Sequence, residues 1–220
     1  MNKETFKKNY WQFYLNIEDE FLEISKTIPI DSINSKTFSL KYTRILQAIC
    51  SELDVVFKRL MDFCNKTYSN PNIKNYESFI KDQFKDFKNA TVTCYKSSHN
   101  YDKIKPFKSW DLKTPPKWWT INNKVKHARD EIDENGIEKF KYSNQKNVLN
   151  ALAGLFILLM YYYEEIVKKT SDKDKLRVPL PQSEIFHLEN WRDYFQKIVE
   201  NKFYIEIKED GCLYLYTGDD

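Results

Sequence analysis

The sequence predicts an all-α fold, a helical bundle that carries a small C-terminal β-hairpin appendage. Three observations predict it. Apolar residues recur at spacings of three and four over most of the chain. Glycine and proline are scarce, 4 and 7 of 220 residues, which excludes a collagen-like or Gly/Pro-rich disordered chain. Clear period-two alternation falls near the C-terminus, where FYIEIK and CLYLYT flank Glu209-Asp210-Gly211, a hairpin signal.

The elements follow in order. Residues 4–26 set Phe6, Tyr10, Phe13, Ile17, Phe21 and Ile24 on one helical stripe, with Pro29 beyond its end. A second helix runs from about Ser39 to Cys64 on Tyr42, Ile45, Ile49, Val56, Leu60 and Phe63. Residues around Pro71 read as a loop, and a third helix covers about Tyr76–Phe87. ATVTCY (90–95) is a short strand or an extended piece. Pro116 suits the first turn of a helix carrying KWWTINNKVKHAR. A polar connection with Gly136 leads to Ser143, the expected N-cap of a long helix ending near Lys168 and Lys169. A short helix is expected near Glu189–Val199. Composition divides the chain into a bundle, 1–177, and an appendage, 178–220, which has four basic and nine acidic residues.

Charge and cysteines bound the function classes. A net charge of +3 does not by itself mark a nucleic-acid binder. Locally, six cations between Lys108 and Arg129 face only Asp111, with Trp110, Trp118 and Trp119 among them. Lysines interleaved with aromatics suit a phosphate-bearing ligand; a solvated face over core tryptophans fits equally. Cys50, Cys64, Cys94 and Cys212 show no CxxC spacing, and His99, His127 and His187 are scattered. No metal site and no cofactor are therefore expected. The N-terminal MNKETFKKNYWQFY lacks the apolar run of a signal peptide, so a cytoplasmic location is expected. Val148–Tyr163 is strongly apolar but short of the roughly 20 residues a spanning helix needs, so no membrane partner is expected.

The segment 116–129 is the candidate site. On a helix, Asn123 and His127 lie one turn apart on a shared face, and Lys126 and Arg129 are spaced to share an adjacent one. Histidine moves protons near neutral pH, while Arg and Lys hold phosphate and stabilise developing negative charge. The competing reading makes His127 a structural histidine and Trp118 and Trp119 core anchors. Glu52 and Asp54 on the second helix are candidate carboxylate partners of His127 or plain surface charges, and Arg44 or Arg59 of that helix would supply a guanidinium if the fold sets it near.

Phe107-Lys-Ser-Trp110, Pro116-Lys-Trp-Trp119, Asn123-Lys-Val-Lys-His127-Ala-Arg129 and Asn147-Val-Leu-Asn-Ala-Leu-Ala-Gly-Leu155 together resemble a group of bacterial HEPN-like proteins. The resemblance covers mainly residues 107–165. It implies an all-α bundle and a metal-independent endoribonuclease of phage defence or a toxin–antitoxin-like system, acting on RNA. It also implies a homodimer and a protein partner such as an antitoxin. His127 would be the general acid/base, Arg129 and Lys126 the phosphate holders, and Asn123 the orienting amide. The family motif places an Arg, then four to six residues, before the His; here those positions hold Thr120, Ile121 and Asn122. Non-catalytic HEPN-like domains exist as well, so a helical interaction or dimerisation module is the alternative.

Overall fold

The computed structural model describes residues 1–98, 100–111, 113–169 and 178–191, together with the backbone of 203–207 and 213–217. The described residues are mainly helical. Helix α1 (Lys3–Phe6) passes through a π-turn (Lys7–Trp11) into α2 (Gln12–Ser25). The π-turn inserts an extra residue and rotates the apolar stripe. Phe13, expected inside, is consequently 51% exposed, while Trp11 and Tyr14 are buried.

Helix α3 (Leu40–Phe63) matches its expected span. Ser39 caps it, its hydroxyl accepting from the Tyr42 N–H at 3.0 Å. Helix α4 (Ile73–Gln83) starts earlier than its apolar pattern suggests, because Asn72 and Asn75 form a reciprocal capping box. Phe84 and Phe87 lie beyond α4 yet remain buried.

Helix α6 (Gln145–Lys169) is the axis of the core. It packs against α3, α5 (Lys117–Ala128) and the α1–α2 segment. Its cap is Asn144, whose side chain accepts from the Asn147 N–H at 3.1 Å. The expected cap, Ser143, instead closes the preceding 3-10 turn with its N–H on Phe140 O. Gln145 is fully buried and pins the chain before α3: its amide donates to Pro29 O at 2.9 Å and accepts from the Asp31 N–H. Length and composition alone would let α6 cross a membrane, but 83% of its most apolar window is buried inside the protein. That is the pattern of a core helix.

The all-α expectation needs one correction. β1 (Val92–Cys94) lies between β2 (Lys103–Ile104) and β3 (Phe186–Leu188) in an antiparallel sheet. Val92 stands opposite both Ile104 and Leu188. β1 falls within 90–95, where a short strand or extended piece is expected, whereas the two- and three-residue strands beside it are too short to show a period in sequence.

β3 belongs to the segment read as the appendage, and that segment is fastened to α2. The buried Glu18 carboxylate accepts from Tyr14 OH at 2.5 Å, from Ser183 Oγ, and from the Glu184 N–H at 2.9 Å. Trp11 Nε1 donates to Pro181 O at 2.7 Å. Farther on, β4 (Phe203–Ile207) and β5 (Leu213–Thr217) pair antiparallel, Phe203 opposite Thr217 and Ile207 opposite Leu213. That agrees with the expected hairpin. Its Glu209-Asp210-Gly211 turn, and nearly all of the helix expected near 189–199, lie outside the described residues.

Candidate functional site: the outer face of α5

The chain enters α5 through Pro116, which occupies the N-cap rather than the first turn. Trp118, Ile121, Asn122 and Val125 form its buried side, at the spacing expected of one helical face. Trp118 anchors it most firmly. Its Nε1 donates to Pro106 O at 3.2 Å, and its ring meets Phe107 edge-on at 5.8 Å. A Cβ on Gly154 of α6 would stand 3.2 Å from both rings, so glycine there permits the close approach of α5 to α6. Trp119 packs edge-on against Tyr76 of α4 at 6.5 Å. The tryptophans are core anchors, as the simpler of the two sequence readings had it.

The outer side carries the candidate residues. Asn123, Lys124, Lys126, His127 and Arg129 are all exposed. Asn123 and His127 stack one turn apart, flanked by Lys124 and Lys126. Arg129, in the C-cap position, lies about 200° around the helix axis from His127 at 3.6 residues per turn. The helix thus brings Asn123, His127 and the two lysines together and sets Arg129 apart.

Among the described residues no carboxylate hydrogen-bonds or ion-pairs with His127. Asp54 is occupied: Tyr76 OH donates to it at 2.5 Å and Lys58 Nζ at 2.5 Å. Glu52 is half-buried on α3, and burial raises its carboxyl pKa. Arg59 pairs with Asp62 at 3.6 Å, in a cleft to which α5 contributes no lining residue. The acidic loop after α5 is folded on itself. Asp133 accepts from Tyr142 OH and from the N–H groups of Asn135 and Ile137, which together hold its carboxyl below the usual range. Glu131 pairs with Lys139 and Glu138 with Lys141. Among the described residues, no cluster of three or more His, Cys, Asp or Glu side chains is arranged to hold a metal ion.

No α5 residue lines the cleft at the end of α3, the one between Phe84 and Trp191, or the one beside the end of α2. The candidate residues stand on an exposed helical face. Sequence reading did not find the Glu18 cluster. Its one signal was a glutamate four residues after Tyr14, on the apolar stripe, where a charge belongs only if it is satisfied. Compared with known protein families, with curated proteins and with solved structures, the chain matches none.

Proposed function

We propose that this protein acts on RNA through the outer face of α5, as a HEPN-like metal-independent endoribonuclease. The observation that supports the reading is the division of α5. Its tryptophan side is fixed in the core, and its other side presents an amide, an imidazole and two lysines to solvent. Among the described residues no internal hydrogen bond or ion pair engages these four side chains. They are available to a phosphodiester.

In the reaction the HEPN resemblance implies, the RNA 2′-oxygen attacks the adjacent phosphorus and loses its proton. The bond from phosphorus to the 5′-oxygen breaks, and that oxygen gains a proton. The products are a 2′,3′-cyclic phosphate and a 5′-OH. His127 carries one of these proton transfers, Lys126 and Lys124 offset the charge on the phosphoryl oxygens, and Asn123 orients the imidazole or the substrate. Arg129 holds a neighbouring phosphate along the strand, since it stands apart from His127 on the helix.

The exposure of the face favours a second reading, a non-catalytic surface that binds RNA or a second copy of the chain, because His127 stands exposed to water. One assay separates the two. Wild type and His127→Ala are incubated with single-stranded RNA in EDTA, and product ends are analysed. The endoribonuclease reading expects cyclic-phosphate ends from wild type and a loss of about a hundredfold or more in His127→Ala. Binding without cleavage by a folded wild type selects the second reading.

A further inference from the structure

We propose that the cleft between the end of α3 and the 64–72 loop binds a nucleoside phosphate. The cleft holds about 320 Å³, at the small end of ligand pockets. Lys58, Arg59 and Lys66 line it against the single carboxylate of Asp62. Val55, Tyr68 and Pro71 supply an apolar and aromatic wall; Tyr68 is 37% exposed and Val55 41%. Cations beside an open aromatic ring are the two halves of nucleotide recognition, one for the phosphate and one for the base.

The cleft is built on a fixed frame. Tyr76 of α4 is fully buried. Its hydroxyl donates to Asp54 and lies 3.3 Å from Pro71 O, so one tyrosine ties α3 to the loop. Asp54 in turn holds Lys58. At the other end, α3 closes with Asn65 in the left-handed region, φ 56°, while Asn65 N–H bonds Asp62 O and Lys66 N–H bonds Met61 O. These are the two bonds of a Schellman cap, and they fix the backbone that carries Lys66.

The end of a helix ordinarily repels an anion through its free carbonyls. Here the carbonyls of Met61 and Asp62 are taken by the cap, and Lys169 Nζ donates to Phe63 O at 2.7 Å. That leaves Arg59 and Lys66 to meet an anion in the cleft, with Lys58 lining it while paired to Asp54. Arg59 sits 3.6 Å from Asp62, an exposed pair loose enough to exchange for a phosphate. Its planar fork suits a phosphate monoester better than a lysine would.

The test is calorimetric titration of the full chain with AMP, adenosine, inorganic phosphate and a 5′-phosphorylated RNA trinucleotide. AMP is expected to bind, adenosine to bind at least tenfold more weakly, and phosphate to bind without dependence on Tyr68. Tighter binding of AMP than of the trinucleotide assigns the site to free nucleotides, and tighter trinucleotide binding that is lost in Arg59→Ala with Lys66→Ala assigns it to RNA ends. Arg59→Ala with Lys66→Ala should weaken AMP at least tenfold, and Tyr68→Ala should weaken AMP but not phosphate. Both variants alter exposed side chains, and their thermal midpoints provide the check on folding. Lys126→Ala with Arg129→Ala should leave AMP binding unchanged. The proposal is overturned if folded wild type binds no AMP, if the Arg59/Lys66 variant binds it as well as wild type, or if the α5 variant loses it.

Discussion

Helices α5 and α6 share one packed seam and are opposite in character. α6 buries residues on every side along most of its length, from Gln145 to Ile166. α5 buries only Trp118, Trp119, Ile121, Asn122 and Val125 and leaves its cations outside. Near the seam, Gly154 lets Phe107 and Trp118 lie against the α6 backbone. The difference separates two jobs. Stability resides in α6 and in the inner side of α5; chemistry, if it resides on these helices, has only the outer side of α5. Substitutions on the two should therefore fall into two groups, one that changes the melting temperature and one that does not.

The largest effect belongs to α6. Leu158 is fully buried, and Leu158→Ala removes its packing and leaves a cavity, at a cost of about 2–5 kcal/mol. Chemical denaturation measures this directly. A loss below about 1 kcal/mol would mean that α6 is not the axis of the core. Next comes the seam. Gly154→Ala gains up to about 1 kcal/mol of helix propensity. Its new methyl meets Phe107 and Trp118, and the latter is held by its bond to Pro106 O. Overpacking of about 1–3 kcal/mol should prevail, giving a net loss and a changed tryptophan emission. A stabilised variant would show that α5 can slide off α6.

A third region sharpens the contrast, because its polar groups are inside. Burial raises the Glu18 pKa above 4.5, against the opposing pull of its hydrogen bonds from Ser183, Tyr14 and Glu184. The folded state then holds this proton more tightly than the unfolded one. Its contribution is fully present below about pH 4.5 and is lost as pH rises through the folded pKa. His187 works the other way: burial and Lys103 lower its pKa, so its contribution is present above about pH 6.5 and lost as pH falls. The difference between wild type and Glu18→Gln isolates the first effect. The melting temperature of Glu18→Gln relative to wild type should rise between pH 4.5 and 7. Parallel curves would show that the carboxylate is fully compensated by its three donors.

What was legible in the sequence follows the same physics. The long helices were readable because each carries a sustained 3.6-residue apolar period, and the second was placed from about Ser39 to Cys64. The phase of α2 was not, because a π-turn leaves no mark in composition and displaced Phe13 for Tyr14. Asn144 was overlooked as the cap because Ser143, its neighbour, has the same chemistry. Of the sheet only the central strand was legible, within 90–95, because its pairing with 103–104 and with the remote 186–188 leaves no local pattern. At the site, spacing correctly joined Asn123 to His127, since both lie on one helix. It could not place Glu52, Asp54 or Arg59 relative to α5, because those relations depend on how α3 and α4 pack.

The smallest effect on stability is the most informative about the outer face. Lys126 is exposed and makes no ion pair with a described residue, so Lys126→Ala should alter stability by no more than about 0.5 kcal/mol. If the outer face of α5 carries RNA, each lost phosphate contact should lower the slope of log affinity against log salt by about 0.7 for a single strand. The measurement is a series of RNA titrations at several salt concentrations for wild type and Lys126→Ala. A lower slope with an unchanged melting temperature assigns Lys126 to the phosphate backbone, independently of whether the strand is cut. An unchanged slope removes it from the site, and the cations outside α5 would then be solvation of a helix whose work is all on its inner side.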